Sequence, residues 1–268
     1  MSGNEGADLL AVAERLARGA GELVRRARAA AAGDLAVDAK STPTDLVTEV
    51  DKASERWLLD RLAGLRPDDA VLGEEGADRA GRSGVRWLLD PIDGTVNFLY
   101  GIPQYAVSVA AEVDGVVVAG CVHHPPLGET FTALRGGGAW LDGRPIGGSW
   151  RAATLEAAVL GTGFAYDVGR RSGQGRVLAG VLPRVANVRR LGSAALDLCY
   201  VGAGRLDAYF EQDLKPWDRA AGALVAAEAG AVVSGLRGRP PGGITMAAAP
   251  AVADELRTLL EELGADEV

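Results

Sequence analysis

Cysteine is scarce in this chain of 268 residues, which carries only Cys121 and Cys199. Each lies in an apolar stretch, so both are expected as buried thiols and a disulfide framework is excluded as the source of stability. Positive charge is in deficit: 28 Lys and Arg stand against 36 Asp and Glu, a net charge of −8. Such a chain does not favour nucleic acid or anionic lipid as a general partner. Aromatic residues make up 5%, and Trp57, Trp87, Trp140, Trp150 and Trp217 read as core and interface rather than as base-stacking platforms. No run of 18 uncharged apolar residues occurs, so no membrane span is expected. The first residues, Met1 to Glu5, lack the basic segment and apolar core of a secretory signal, and a cytoplasmic protein is the expectation. There is no internal repeat and no low-complexity tail.

What is present is an ordinary globular composition, 48% hydrophobic and 24% charged, in a length that suits one large domain or two closely packed ones. Leu9, Val12, Ala13, Leu16, Ala20, Leu23, Val24 and Ala27 recur at helical spacing, predicting an amphipathic helix over about 7–30. Ser41 to Thr44 punctuate the chain. A second helix follows with Val47, Val50, Trp57, Leu58 and Leu62 inward, ending near Gly64 and Pro67. Strands are predicted at Val85 to Leu89, Ala106 to Val113 and Val116 to Val122, with Asp114-Gly115 as a hairpin turn. Glu129 to Leu134 and Ala139 to Leu141 extend an antiparallel meander. From residue 154 the pattern alternates. Strands are expected at Ala157 to Leu160, Val185 to Arg189, Asp207 to Phe210, Ala231 to Val233 and Ile244 to Ala248. Helices are expected at 174–183, Ser193 to Val201, Trp217 to Ala229 and Ala251 to Leu263. Asp167 to Gly175, rich in Gly and Arg, reads as a surface loop, as does Gly235 to Gly243. Residues 1–150 thus form an α+β half and 151–268 an α/β half of one compact unit.

The segment Trp87-Leu88-Leu89-Asp90-Pro91-Ile92-Asp93-Gly94-Thr95 carries the most chemistry. Two carboxylates stand three apart where an apolar strand gives out. Pro91 stiffens the turn, and Gly94 lets the backbone approach a ligand. Such a turn can aim both carboxylates and a carbonyl at one point, which suits magnesium's demand for hard oxygen ligands. Gly94 and Thr95 can open a helix and offer backbone N–H groups to phosphate. In the bland reading Asp93 merely caps that helix and Asp90 is solvated. Read alone, Glu74 belongs to an exposed acidic turn, Asp218 is an ordinary helix-start acid, and Asp51 is a solvated helix residue. A net negative chain with an anionic substrate would need cations at the site, a first hint of metal. His123 and His124, with no acid or cysteine cluster beside them, read as structural or surface residues. Arg170-Arg171 and Arg189-Arg190 read as solvated charge runs, the second with the option of bracing the following loop or a dimer contact.

The order of these pieces changes their weight. Asp45 to Asp51, Gly73-Glu74-Glu75, Trp87 to Phe98, Leu191-Gly192-Ser193-Ala194-Ala195, Asp207 to Glu211 and Trp217 to Gly222 together resemble the inositol monophosphatase family over nearly the whole chain. Asn97 to Pro103 most resembles the bacterial inositol-1-monophosphatases. The resemblance implies a layered αβαβα sandwich of the sugar-phosphatase type, with the site between the halves and a homodimer as the family habit. It implies two to three magnesium ions per site. Glu74, Asp90 and the Ile92 carbonyl would hold the first, Asp90, Asp93 and Asp218 the second, and Glu74 with waters a weaker third. It assigns base chemistry to Asp51, Glu74 and Thr95, and substrate contacts to Asp93, Gly94, Thr95, Gly192, Ser193, Ala194, Glu211 and Asp218. Lys40 matches a basic residue near the third metal. At Ser193 the family often carries Thr, and the capping hydroxyl is kept.

The activity implied is hydrolysis of inositol 1-phosphate by activated water attacking in line. Histidinol phosphate, fructose 1,6-bisphosphate and 3′-phosphoadenosine 5′-phosphate are rival substrates of the same superfamily. An adaptor role in transcription or RNA maturation, known for some bacterial relatives, is the remote alternative. Partners are otherwise expected to be a small phosphate monoester only, with no nucleic acid and no membrane.

Overall fold

The computed structural model describes residues 3–31, 37–39 and 46–268. Lys40, Asp45 and the Ser41 to Thr44 punctuation lie outside the described residues.

In chain order the elements are α1 (Gly3–Ala30), β1 (Val37–Ala39), β2 (Leu46–Thr48), α2 (Glu49–Leu65), β3 (Ala70–Gly73), β4 (Asp78–Arg79), β5 (Val85–Asp93), α3 (Thr95–Tyr100), β6 (Ala106–Val113), β7 (Val116–His124), β8 (Glu129–Leu134), β9 (Gly138–Leu141) and β10 (Arg144–Ile146). Then come β11 (Val159–Thr162), α4 (Val168–Val181), β12 (Asn187–Arg189), α5 (Ala194–Gly202), β13 (Ala208–Gln212), α6 (Pro216–Glu228), β14 (Val232–Ser234), β15 (Ile244–Ala248) and α7 (Ala253–Glu262). β1 and β2 pair antiparallel as a short ribbon. The large sheet has eight strands in the order β10-β9-β8-β7-β6-β5-β3-β4, and the small one five in the order β12-β11-β13-β15-β14.

Apolar faces dictate the layering. The buried stripe of α1 (Leu9, Ala13, Leu16, Ala17, Ala20, Val24) and Leu58 and Leu62 of α2 cover one face of the large sheet. Its other face packs on α5 and α6, whose cluster also takes Tyr209 and Ala247 from the small sheet. The far face of the small sheet meets α4 and α7 through Val177, Val181, Leu256 and Leu260. The result is a helix–sheet–helix–sheet–helix sandwich. Helices α5 and α6, rich in Ala and apolar on more than one side, are the middle layer between two sheets.

Several expectations are corrected. The large sheet is not a pure meander, because β3 runs parallel to β5. The small sheet is also mixed, β11 pairing parallel with β12 and β13 while β15 runs antiparallel to β13 and β14. Val47 lies in β2, ahead of the second helix, which starts after the Thr48 cap. The strand expected at Ala157 to Leu160 begins only at Val159, after a 3₁₀ turn over Leu155–Ala157. The stretch from Val168 is helical despite its glycines, with Asp167 capping through a bond from the Arg170 N–H at 2.9 Å. His123 and His124 are both buried, so neither is a surface residue. Cys121 and Cys199 are buried free thiols. Among the described residues no helix is long and apolar enough to cross a membrane.

Candidate active site

The site begins with a fault in β5. Pro91 has no N–H to give the ladder. Between the pairs Asp90↔Ser108 and Asp93↔Ala106, β5 carries one residue more than β6, a β-bulge. In a regular strand, residues three apart face opposite sides. The extra residue restores the phase, and Asp90 and Asp93 line the same cavity. Ser54 of α2 holds the bulge from behind, its hydroxyl donating to the Pro91 carbonyl at 3.2 Å. Ser108, opposite Asp90, donates to the Trp217 carbonyl at 3.1 Å and so seats the start of α6, with Asp218, against the same corner.

The chain then turns through Gly94, where φ is +94°. A side chain there would meet the carbonyls of Gln104 and Gly192 at 3.0 and 3.1 Å, so only glycine fits without strain. Gly94, not Asp93, occupies the capping position of α3. The Asp93 carboxylate instead accepts from Ser193 Oγ at 2.5 Å and the Ala195 N–H at 2.7 Å. Ser193 itself caps α5, its hydroxyl accepting from Leu196. Asp51 is no solvated residue: it is fully buried. Its Oδ1 accepts from the Thr95 hydroxyl at 2.8 Å, and its Oδ2 from the N–H and hydroxyl of Thr48. This makes Asp51 at once the returning half of a capping box and the partner of Thr95. The Thr95 hydroxyl also lies 3.1 Å from the Ile92 carbonyl.

Glu74 follows β3 and is half-buried rather than exposed. Its turn is fastened by Glu55 of α2, which accepts from the N–H groups of Glu75 at 2.9 Å and Ala77 at 3.2 Å.

The cavity, about 410 Å³, is lined by Glu74, Asp90, Ile92, Asp93, Gly94, Thr95, Gly192, Ala194, Glu211 and Asp218, with Arg190, Lys215 and the Phe164 to Asp167 stretch at its margin. Ser193 stands just behind it, against Asp93. Glu211 enters from β13, and the Tyr209 hydroxyl donates to its carboxylate. That carboxylate rests where a side chain at Gly163 would lie, within 2 Å.

Electrostatics of this corner point to a cation. Burial pushes the Asp90 carboxyl well above the usual carboxylate range, and the charges of Glu74, Asp93 and Asp218 push the same way. Asp218 is raised by burial and then by Glu74 and Asp93. Asp93 rises to about 6, because burial outweighs its bonds from Ser193 and Ala195. Burial raises Glu211 as well, against the pull of Tyr209 and Arg190. Crowded, desolvated carboxylates of this kind are relieved by a bound divalent ion. Among the described residues no three acids, histidines or cysteines close a metal cage by themselves. Magnesium asks for less than a full protein cage, because it keeps part of its shell for water and phosphate.

Sequence reasoning missed several residues. Arg190, offered above only as a loop brace, has its guanidinium over Gly192 and borders the cavity. Arg170 pairs with Asp213 across the rim. Asp197, buried on α5, has an Oδ1 with no hydrogen-bond partner. Their signal was weak because a short arginine run reads as a solvated surface and Asp197 as an ordinary acid in the first turn of a helix.

A layered sandwich with a carboxylate-lined cleft between its sheets is the architecture of inositol phosphatases. Superposed on Mycobacterium tuberculosis SuhB, the structure gives a TM-score of 0.83 with 47% identity over 97% of this chain and 98% of that one. The family model for the inositol monophosphatase family matches residues 6–266. The chain belongs to the inositol monophosphatase family, and is therefore a phosphoric monoester hydrolase. It is 52% identical to the inositol-1-monophosphatase of Mycobacterium leprae, covering 96% of this chain and 95% of that protein. It is also 38% identical to the Nus factor SuhB of Pasteurella multocida, covering 97% and 98%.

Proposed function

We propose that this chain hydrolyses inositol 1-phosphate to inositol and phosphate in a magnesium-dependent reaction. The observation that carries the reading is the convergence of Glu74, Asp90, Asp93 and Asp218 with the Gly94–Thr95 turn on one cavity, with Glu211 across from them. Glu74, Asp90, the Ile92 carbonyl, Asp93 and Asp218 would hold magnesium, which would supply the charge that acidifies water and neutralises the phosphoryl and leaving oxygens.

The chain's own groups do the positioning. Thr95 gives its hydroxyl proton to Asp51, which leaves an Oγ1 lone pair to accept a proton from the attacking water. Glu74 shares this base role from beside β5, where its N–H donates to the Leu89 carbonyl at 3.2 Å. The N–H groups of Gly94 and Thr95 bind phosphate oxygens. Asp93, held by Ser193 and Ala195, keeps one fixed orientation toward the leaving oxygen. Glu211 accepts hydrogen bonds from ring hydroxyls, with Gly192, Ser193 and Ala194 shaping the wall beside it. Phosphoryl transfer needs little covalent help, so positioning and charge neutralisation suffice and no phospho-enzyme forms. A homodimer acting in the cytoplasm completes the proposal on family resemblance.

The test is phosphate release, with and without magnesium, from inositol 1-phosphate, histidinol phosphate, fructose 1,6-bisphosphate and 3′-phosphoadenosine 5′-phosphate. Preference for inositol 1-phosphate that a chelator abolishes is the expected result. Preference for another ester overturns the substrate while keeping the chemistry. Silence of folded protein on every ester favours the adaptor role, which the name of the Pasteurella relative brings into view.

A further inference from the structure

Asn97 forms no wall of the site, yet it ties the two sides together. It sits on α3 two residues past Thr95, with its side chain buried. Its amide nitrogen donates to the Gln104 carbonyl at 2.7 Å and to the Leu191 carbonyl at 2.8 Å. Both acceptors are carbonyls, which settles that nitrogen and not oxygen faces them. Gln104 lies in the stretch that leaves α3. Leu191 belongs to the other half, 94 residues away in sequence, and leads directly into Gly192, Ser193 and Ala194. A side chain at residue 192 would come within 2.8 Å of Asn97 Nδ2, so the loop backbone lies directly on the amide. The bonds from Ser193 and Ala195 to Asp93 orient a carboxylate and hold the far end of the loop. The Asn97 bond holds the near end, at Leu191, and sets where Gly192 stands relative to the Gly94–Thr95 turn.

We propose that Asn97 is a positioning residue that fixes the spacing between the phosphate-holding turn and the loop facing the alcohol, and so sets the preference for a polyol phosphate over a simple ester. The inference rests on the reading of Gly192–Ala194 as the alcohol side of the site. With both donors lost, two carbonyls are left without their partner and the loop relaxes outward. The phosphate side, built on Asp90, Gly94 and Thr95, keeps its own supports in β5, β6 and α2.

Asn97→Asp is nearly isosteric and removes both donors. The experiment compares kcat/KM for inositol 1-phosphate and for 4-nitrophenyl phosphate, whose alcohol has no hydroxyls for the loop to meet. The variant is expected to lose about 10- to 100-fold on inositol 1-phosphate, the scale of a misplacement near 1 Å, and much less on 4-nitrophenyl phosphate. Amide exchange at Leu191 to Ala195 is expected to quicken while β6 and β7 stay protected. Equal losses on both esters, or an unchanged ratio with unchanged exchange, overturn the proposal. Should that variant fail to fold, Asn97→Ser keeps one donor and must show the same signature in weaker form; equal losses there overturn the proposal as well. A wild-type chain that hydrolyses neither ester with magnesium present would instead sink the reading of the site itself, and the proposal with it.

Discussion

The two walls of the cleft are built differently. On the wall drawn from β5, α2 and α3 the supporters are buried: Asp51 has Thr48 and Thr95, and the bulge has Ser54. Across the cleft, the stretch from Phe164 to Arg171 and the turn at Asp213 are held by partly exposed contacts such as Arg170–Asp213. Exposed ion pairs hold geometry weakly, whereas buried hydrogen-bonded networks hold it tightly. The difference teaches that the chemistry is over-determined by structure, while the rim at Phe164 to Arg171 is adjustable at low cost to the fold.

Breaking the rigid wall should therefore have the largest effect. Asp93→Asn is expected to lower turnover at least ~100-fold with the fold intact. Circular dichroism alongside phosphate release checks this, and residual activity above a tenth of wild type would remove Asp93 from the metal set. Thr95→Ala should cost about 100-fold in kcat through loss of the Asp51-linked hydroxyl. Thr95→Ser should recover most of it, and failure of that recovery would show that the methyl, not the hydroxyl, matters.

On the alcohol side the effects should shrink and move to binding. Glu211→Gln is expected to raise KM for inositol 1-phosphate about tenfold, more than it lowers kcat. A loss confined to kcat would place Glu211 in the chemistry instead.

The scaffold behind the rigid wall adds a pH signature. His123 accepts burial at the cost of its proton, with its pKa lowered to about 4 by desolvation and then by the charge of Arg18. Its folded pKa lies below the unfolded value of 6.5, so the unfolded chain binds more protons between them. Stability is thus fully present above pH 6.5 and is lost as pH falls toward 4, by on the order of 1 kcal/mol after allowance for partial exposure. Urea titrations at pH 7 and pH 4.5 should show a smaller acid loss in His123→Gln than in wild type, and parallel losses would count against the assignment. The smallest effect belongs to Arg170→Ala, expected to change stability by under ~1 kcal/mol. A larger drop in melting temperature would mean the rim is part of the rigid wall after all.

Much of the element order was legible in periodicity. α1 announces itself through its apolar stripe, and Asp114-Gly115 marks the β6–β7 turn, where φ is +50° and +80°. The start of α4 was not legible, because Val168 to Gly175 has three glycines and little amphipathic contrast; its cap and its packing against α7 decide it. The parallel pairing of β3 with β5 was hidden too, since strand direction is not written in a four-residue run. At the site, residue types and order pointed to the cavity, but their surroundings did not. Asp51 looked like a solvated helix residue because its partner Thr95 is 44 residues on.

By itself the sequence determined which atoms are available: hard carboxylates at Glu74, Asp90, Asp93 and Asp218, a hydroxyl at Thr95, and a proline and a glycine that forbid a regular strand to continue. These follow from local covalent facts, a missing N–H at Pro91 and a missing side chain at Gly94. Only the tertiary structure decided that one bulged residue turns two of those acids to the same side. It also decided that Ser193 and Ala195 reach Asp93 across 100 and 102 residues, and that Asn97 spans the halves. Such contacts depend on how layers stack, and stacking is set by the summed burial of many apolar faces rather than by any short stretch of chain.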